Sequence, residues 1–185
     1  MYVDFLKEMI EYKLLTMSAK KAYYLNLVKN MKSAGHRRYE VFKKAISQKG
    51  QINLIAEIKK ASPSAGLIRE DFNAPLIAET YIKNNAAAIS VLTEDKYFLG
   101  ELAFLAQVSE KSKVPVLMKD FIVHEYQIYE GLFYGASAVL LIVAMLSDDQ
   151  LKDLLYVAQS CRSHLVLVLP YFLIIIPTTY PLQFL

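Results

Sequence analysis

Glu57 and Lys59 stand two residues apart in the segment Leu54-Ile55-Ala56-Glu57-Ile58-Lys59-Lys60-Ala61-Ser62-Pro63-Ser64-Ala65-Gly66. In an extended strand that spacing turns both side chains to the same side. Leu54, Ile55 and Ala56 form an apolar run of the kind a strand covered on both faces shows, and Pro63 and Gly66 end it in a small-residue loop. A second lysine, Lys119, closes another apolar run, Val114-Pro115-Val116-Leu117-Met118. Two ammonium groups and a carboxylate at strand ends can bind a phosphate or carboxylate. They can also protonate a carbonyl oxygen if desolvation lowers a lysine's pKa, with Glu57 keeping Lys59 protonated or shuttling protons. A structural ion pair at the rim of a sheet fits the same residues equally well. Phe98 and Phe121 follow two of the apolar runs and serve either as core or as walls of a pocket for an aromatic ring.

These residues need elements to position them. Apolar residues Val3, Leu6, Ile10, Leu14 and Met17 recur at helical spacing and predict an amphipathic helix over residues 2–18. Ala22, Leu25, Leu27, Val28 and Met31 predict another over 19–32, ended near Ser33-Ala34-Gly35. The cluster His36-Arg37-Arg38 reads as a solvated loop, and 39–48 as a short helix. From residue 54 strands and helices alternate. Strands are expected at 54–59, 87–93, 114–119 and 138–144, and helices near 74–84, 100–111, 124–134 and 148–162. Such alternation means β–α units around a parallel sheet, either doubly wound or closed as a (β/α)8 barrel. The missing Gly-x-Gly-x-x-Gly after the first strand lowers the dinucleotide-binding option. In a barrel the polar strand ends Glu57/Lys59, Thr93/Glu94 and Lys119/Asp120 meet at one face.

Composition narrows the function classes. The 185 residues suit one ordinary domain, and the net charge of +3 is weak. No basic run carries interleaved aromatics, so nucleic-acid binding is unsupported. Cys161 is the single cysteine, which excludes an internal disulfide, suits a reducing, cytoplasmic compartment and reads as a packing residue. His36, His124 and His164 lack metal-ligand spacing, so no metal is expected. The charged N-terminus, with Asp4, Lys7 and Glu8, has no apolar core of a signal peptide.

Residues 55–66 strongly resemble the first-strand signature of indole-3-glycerol phosphate synthase, I-A-E-x-K-x-x-S-P-S with a nearby glycine. Residues 90–100, 115–123 and 135–143 look like that family's second-, third- and fourth-strand segments, in order and at its spacing. The resemblance covers residues 1 to about 164 and implies a (β/α)8 TIM-barrel fold, here about its first four to five β–α units plus N-terminal helices. It divides the chain into a helical extension (1–48), a partial barrel (49–164) and an apolar tail unlike the family (165–185). It also implies the family's reaction in tryptophan biosynthesis, a lyase step without a cofactor. In that step 1-(2-carboxyphenylamino)-1-deoxyribulose 5-phosphate loses carbon dioxide and water to give indole-3-glycerol phosphate. By resemblance Lys119 is the general acid for ring closure, Lys59 binds substrate and takes part in dehydration, and Glu57 positions them. Ser62 lies in the loop over the site, and Leu92, Phe98, Phe121 and Leu140 line the pocket for the anthranilate ring.

The likeness stops near His164. The family's fifth strand carries a second catalytic glutamate, yet no Asp or Glu follows Asp153 here. The family's later asparagine and phosphate-binding loops have no counterpart, leaving roughly three of eight units missing from a fold of about 250 residues. The tail is uncharged, but Pro170, Pro177 and Pro181 interrupt it, which disfavours the reading as a membrane anchor. A frameshift or misread gene end is the preferred explanation. An inactive remnant, or a fragment needing the missing strands, is the alternative. A partial barrel would expose a sheet edge open to self-association.

Overall fold

The structure, a computed structural model, describes residues 2–33, 41–161, 164–168 and 173–176. Helices α1 (Tyr2–Ala19), α2 (Lys21–Ser33) and α3 (Val41–Ile46) precede the sheet. There follow β1 (Ile55–Ile58), a small hairpin of β2 (Ala61–Ser62) and β3 (Gly66–Leu67), and α4 (Ala74–Lys83). Next come β4 (Ala88–Leu92), α5 (Leu102–Lys111), β5 (Val116–Lys119), α6 (Glu125–Phe133) and β6 (Ala138–Ile142). After a 3-10 turn at Val143–Met145 the chain continues as α7 (Asp148–Ser160), β7 (His164–Val168) and β8 (Leu173–Ile176).

The main sheet runs β1-β4-β5-β6-β7-β8. Its strands enter in sequence order, and each pair from β1 to β7 is parallel. A doubly wound sheet reverses its strand order at a switch point. This order never reverses, so the winding is that of a barrel. Helix caps set where each unit turns. The Asn73 side chain accepts the N–H of Leu76 at the start of α4, and Ser147 and Gln150 form a reciprocal capping box on α7.

Strand alternation sends Ile58, Ile89, Val91, Val116, Met118, Val139 and Leu141 outward, where they pack in one core with α4, α5, α6 and α7. Ala88, Leu117, Ala138 and Leu140 point inward around Phe42 of α3, which is fully buried. Ala88 and Ala138 open their strands, so Phe42 closes the interior from the N-terminal end. A third cluster joins Leu6, Met9 and Met17 of α1 and Tyr24, Leu27 and Met31 of α2 to Phe121, Val123, Tyr129, Met145 and Cys161. Helices α1 and α2 therefore lie over the C-terminal side of the sheet, beside the residues that could do chemistry.

Several expectations shift. Leu54 is 53% exposed and precedes β1, whose burial alternates, because β1 pairs with β4 alone among the described strands. The loop after β1 is a hairpin, with Gly66 at φ +62 opening β3 after its turn. In α1 the buried stripe is Leu6, Met9, Lys13 and Met17, while Leu14 is exposed; in α2 it is Tyr24, Leu27 and Met31, while Leu25 is exposed. The helices are rotated from the apolar reading because polar partners draw Lys13 and Tyr24 inward. The sixth strand, β8, runs antiparallel to β7, unlike a β–α unit. His36-Arg37-Arg38, the start of the 39–48 helix and most of the apolar tail lie outside the described residues. Among those described, no helix is long and apolar enough to cross a membrane.

Gly100 closes the segment after β4 with its N–H on the Glu94 carbonyl at 2.7 Å. A Cβ there would stand 2.5 Å from the Leu92 oxygen and 2.8 Å from the Glu94 oxygen, both backbone atoms that cannot move aside. Gly100→Ala is expected to lower stability by about 1–3 kcal/mol, read from the urea midpoint.

Candidate functional site

Register builds the site in rows. Glu57 pairs with Ser90 and Ser90 with Leu117, while Leu92 pairs with Lys119 one step nearer the C-terminal ends. Extending the β1–β4 and β5–β6 registers by one residue sets Lys59 beside Leu92 and Leu140 beside Lys119. The upper inward row is thus Lys59, Leu92, Lys119, Leu140, two cations separated by an apolar side chain. Glu57 belongs to the row beneath. Its Oε1 accepts from Lys59 Nζ at 2.9 Å, and its Oε2 accepts from Lys119 Nζ. One carboxylate therefore bridges two ammonium groups that come from β strands with another strand between them.

The three side chains are about one-third exposed, at 31% for Glu57, 33% for Lys59 and 37% for Lys119. They are shielded enough to interact and open enough to meet a ligand. Burial pushes the Glu57 carboxyl upward, but the hydrogen bonds and charges of Lys119 and Lys59 outweigh it and hold the group below its ordinary 4.5. A depressed carboxylate pKa stabilises the fold above the unfolded value and loses that contribution as pH falls through the folded value. Glu57→Gln is expected to lower stability at pH 7, where it leaves two ammonium groups facing each other. The gap from the parent chain should narrow as pH falls below 4.5. Urea unfolding at both pH values checks this; an equal gap in acid would contradict it.

The predicted wall residues divide. Leu92 and Leu140 are buried on the inward face beside Lys119. Phe121 is 9% exposed, with its ring 5.7 Å from Phe5 of α1 and 6.2 Å from Phe98. Phe98 remains half-buried at the margin of the cluster under the N-terminal helices. Ser62 sits on β2, its hydroxyl accepting the Ala65 N–H at 3.2 Å and lying 3.4 Å from Ser64 Oγ. The Phe98 carbonyl accepts the Ala61 N–H at 3.2 Å, which ties the hairpin holding Ser62 to the segment holding Phe98. A groove of about 360 Å³ opens beside Glu57 and Lys59, lined also by Ile68, Arg69 and Tyr81. A larger one, about 580 Å³, lies between α4 and α5 and holds none of the strand-end residues.

Sequence reasoning missed the buried charge of Lys13 and the burial of Glu94, which it placed only as a polar strand end. Lys13 of α1 is 8% exposed and meets Asp120 at 2.7 Å and Asp95 at 3.5 Å. Asp120 also accepts from the Thr93 hydroxyl at 2.8 Å and the Phe121 N–H at 2.7 Å. The signal was present: Lys13 falls four residues after Met9 and four before Met17, on the inward stripe. Glu94 has no exposure, and its carboxylate accepts the N–H groups of Lys96, Tyr97 and Phe98 at 2.8, 2.8 and 2.9 Å. Among the described residues no three His, Cys, Asp or Glu gather as a metal site.

In-order parallel strands, helices outside, and a Lys–Glu–Lys cluster at the C-terminal strand ends define a protein of the TIM-barrel class with its chemistry on that rim. Comparison with known proteins makes the class specific. The family model described as indole-3-glycerol phosphate synthase matches residues 6–168, and the chain belongs to that family. An indole-3-glycerol phosphate synthase of Endomicrobium trichonymphae is 52% identical over 143 residues, 77% of this chain and 52% of that protein. One from Dehalococcoides mccartyi strain CBDB1 is 55% identical over 115 residues, 60% of this chain and 44% of its own length. One from Clostridium acetobutylicum is 48% identical over 136 residues, 74% and 52%. The chain spans about half the length of the curated relatives it matches.

Proposed function

We propose that this chain supplies the first half of an indole-3-glycerol phosphate synthase active site. That site closes the ring of 1-(2-carboxyphenylamino)-1-deoxyribulose 5-phosphate with loss of carbon dioxide and water. The observation that carries the reading is the Glu57 carboxylate held between Lys59 and Lys119. Lys119, fixed on Glu57 between Leu92 and Leu140, is placed to donate to the ribulose carbonyl oxygen as the ring carbon attacks. A preformed cation in partly apolar surroundings stabilises the charge that develops there. Lys59 binds substrate and gives a proton to the departing hydroxyl in the dehydration. Glu57 orients both ammonium groups. Leu92, Leu140, Phe98 and Phe121 face the anthranilate ring, and Ser62 belongs to the hairpin beside it.

No cofactor enters this chemistry, which is a carboxy-lyase step in the cytoplasm. Residues 1–48 serve as a helical extension and 49–164 as the partial barrel, with 165–185 as a tail that leaves the family pattern after residue 168. The edges of β1 and β8, unpaired among the described strands, are offered to the remaining strands of a barrel or to another copy of the chain. The inward cation pair argues for this reading over another phosphate-binding barrel. No carboxylate follows Asp153, so the second catalytic glutamate of the family must come from elsewhere. The purified chain alone is therefore expected to show little or no turnover. Turnover near the rate of an intact relative would overturn the half-site reading.

A further inference from the structure

We propose that Glu94 is the positioning residue of the aromatic wall: its carboxylate fixes the segment after β4 in the conformation that sets Phe98 and, through Phe98, the hairpin bearing Ser62. The inference rests on the reading of the site given above.

A carboxylate without solvent contact needs strong compensation. Glu94 makes no salt bridge among the described residues; Lys13 closes its own on Asp120 and Asp95. Compensation comes from three consecutive backbone N–H groups, those of Lys96, Tyr97 and Phe98. Consecutive N–H groups pointing into one concavity form an anion-binding nest, here filled by the chain's own side chain. The Glu94 carbonyl accepts from Gly100, and Leu99 takes φ +49 between them. The segment is thus wound on one residue.

What it presents bears on the ligand. The Phe98 ring stands 6.2 Å from Phe121, and the Phe98 carbonyl holds Ala61, the neighbour of Ser62. From outside, Glu8 of α1 accepts from Lys96 Nζ and the Tyr97 hydroxyl, both at 2.5 Å. Loss of the Glu94 carboxylate therefore loosens the segment without freeing it from the fold. Holding Phe98 beforehand removes an ordering cost that binding would otherwise meet.

The test uses the full 185-residue chain with 2-aminobenzoate, whose own fluorescence reports binding. Glu94→Gln should weaken binding about tenfold, the scale of one hydrogen bond to a charged group. The same change in a Phe98→Ala background should do little, because Glu94 acts through that ring. Amide exchange at residues 96–98 should rise in Glu94→Gln while β4 and β5 stay protected. Glu94→Asp, which keeps the charge, should recover part of the affinity, and it replaces Glu94→Gln in the comparison if that variant does not fold. Binding that neither variant weakens, or a loss equally large without Phe98, overturns the inference alone. A folded parent chain that binds no 2-aminobenzoate overturns the reading of the site, and the inference with it.

Discussion

Replacing Lys13 by methionine is expected to destabilise the folded chain by about 3–5 kcal/mol, the scale for removing one partner of a buried ion pair. Methionine fills much of the same volume, so the loss reports charge rather than a cavity. Asp120 would be left 6% exposed without its cation, holding only the Thr93 hydroxyl and the Phe121 N–H. Burial works to lower the Lys13 pKa, but the Asp120 charge and hydrogen bond, with the charges of Asp95 and Glu94, raise it above 10.5. A raised lysine pKa contributes stability below the unfolded value that is lost only as pH rises through the folded one, so the effect should be flat around neutrality. The pair Lys13→Met with Asp120→Leu should cost less than the two single changes together, since no buried charge remains. Urea unfolding at pH 7 measures all three; Lys13→Met within about 1 kcal/mol of the parent would mean that the pair acts as a surface bridge.

The second large effect falls on chemistry. In a barrel assembled from this chain and a relative's C-terminal half, Lys119→Met is expected to lower kcat by about 10²–10⁴-fold, the usual worth of a positioned general acid. Lys59→Met should raise KM as well as lower kcat if Lys59 also holds substrate, as proposed. Neither change should disturb folding greatly, since both side chains are about one-third exposed and lie above the inner core. Steady-state kinetics on the assembled barrel separate the two lysines. A Lys119→Met kcat within about threefold of the parent would remove Lys119 from the proton transfer.

Much of this was readable from residue order. The Glu57-x-Lys59 spacing states that the two side chains share a strand face, and alternating apolar runs and amphipathic segments locate the β–α units. The pairing of Glu57 with Lys119 was half legible: both sit at strand ends, but register decides which row each joins. The N-terminal helices were misread by a fraction of a turn. Apolar counting favours Leu14 and Leu25, whereas the fold turns Lys13 toward Asp120 and Tyr24 toward Glu130, whose carboxylate its hydroxyl meets at 3.2 Å. Helical periodicity records which residues dislike water and is silent about a charge that finds its partner more than a hundred residues away. Glu94 shows the same limit. It reads as one more polar strand end, and only a turn that brings three N–H groups onto it makes it an anchor.

Product formation by this chain mixed with the C-terminal half of the Endomicrobium relative tests the half-site most directly. Indole-3-glycerol phosphate should appear on mixing, fail to appear from either half alone, and fall away when the first half carries Lys119→Met. An assembled pair that binds the carboxyphenylamino sugar phosphate yet forms no product, or forms it equally well without Lys119, would contradict the role given to Glu57, Lys59 and Lys119.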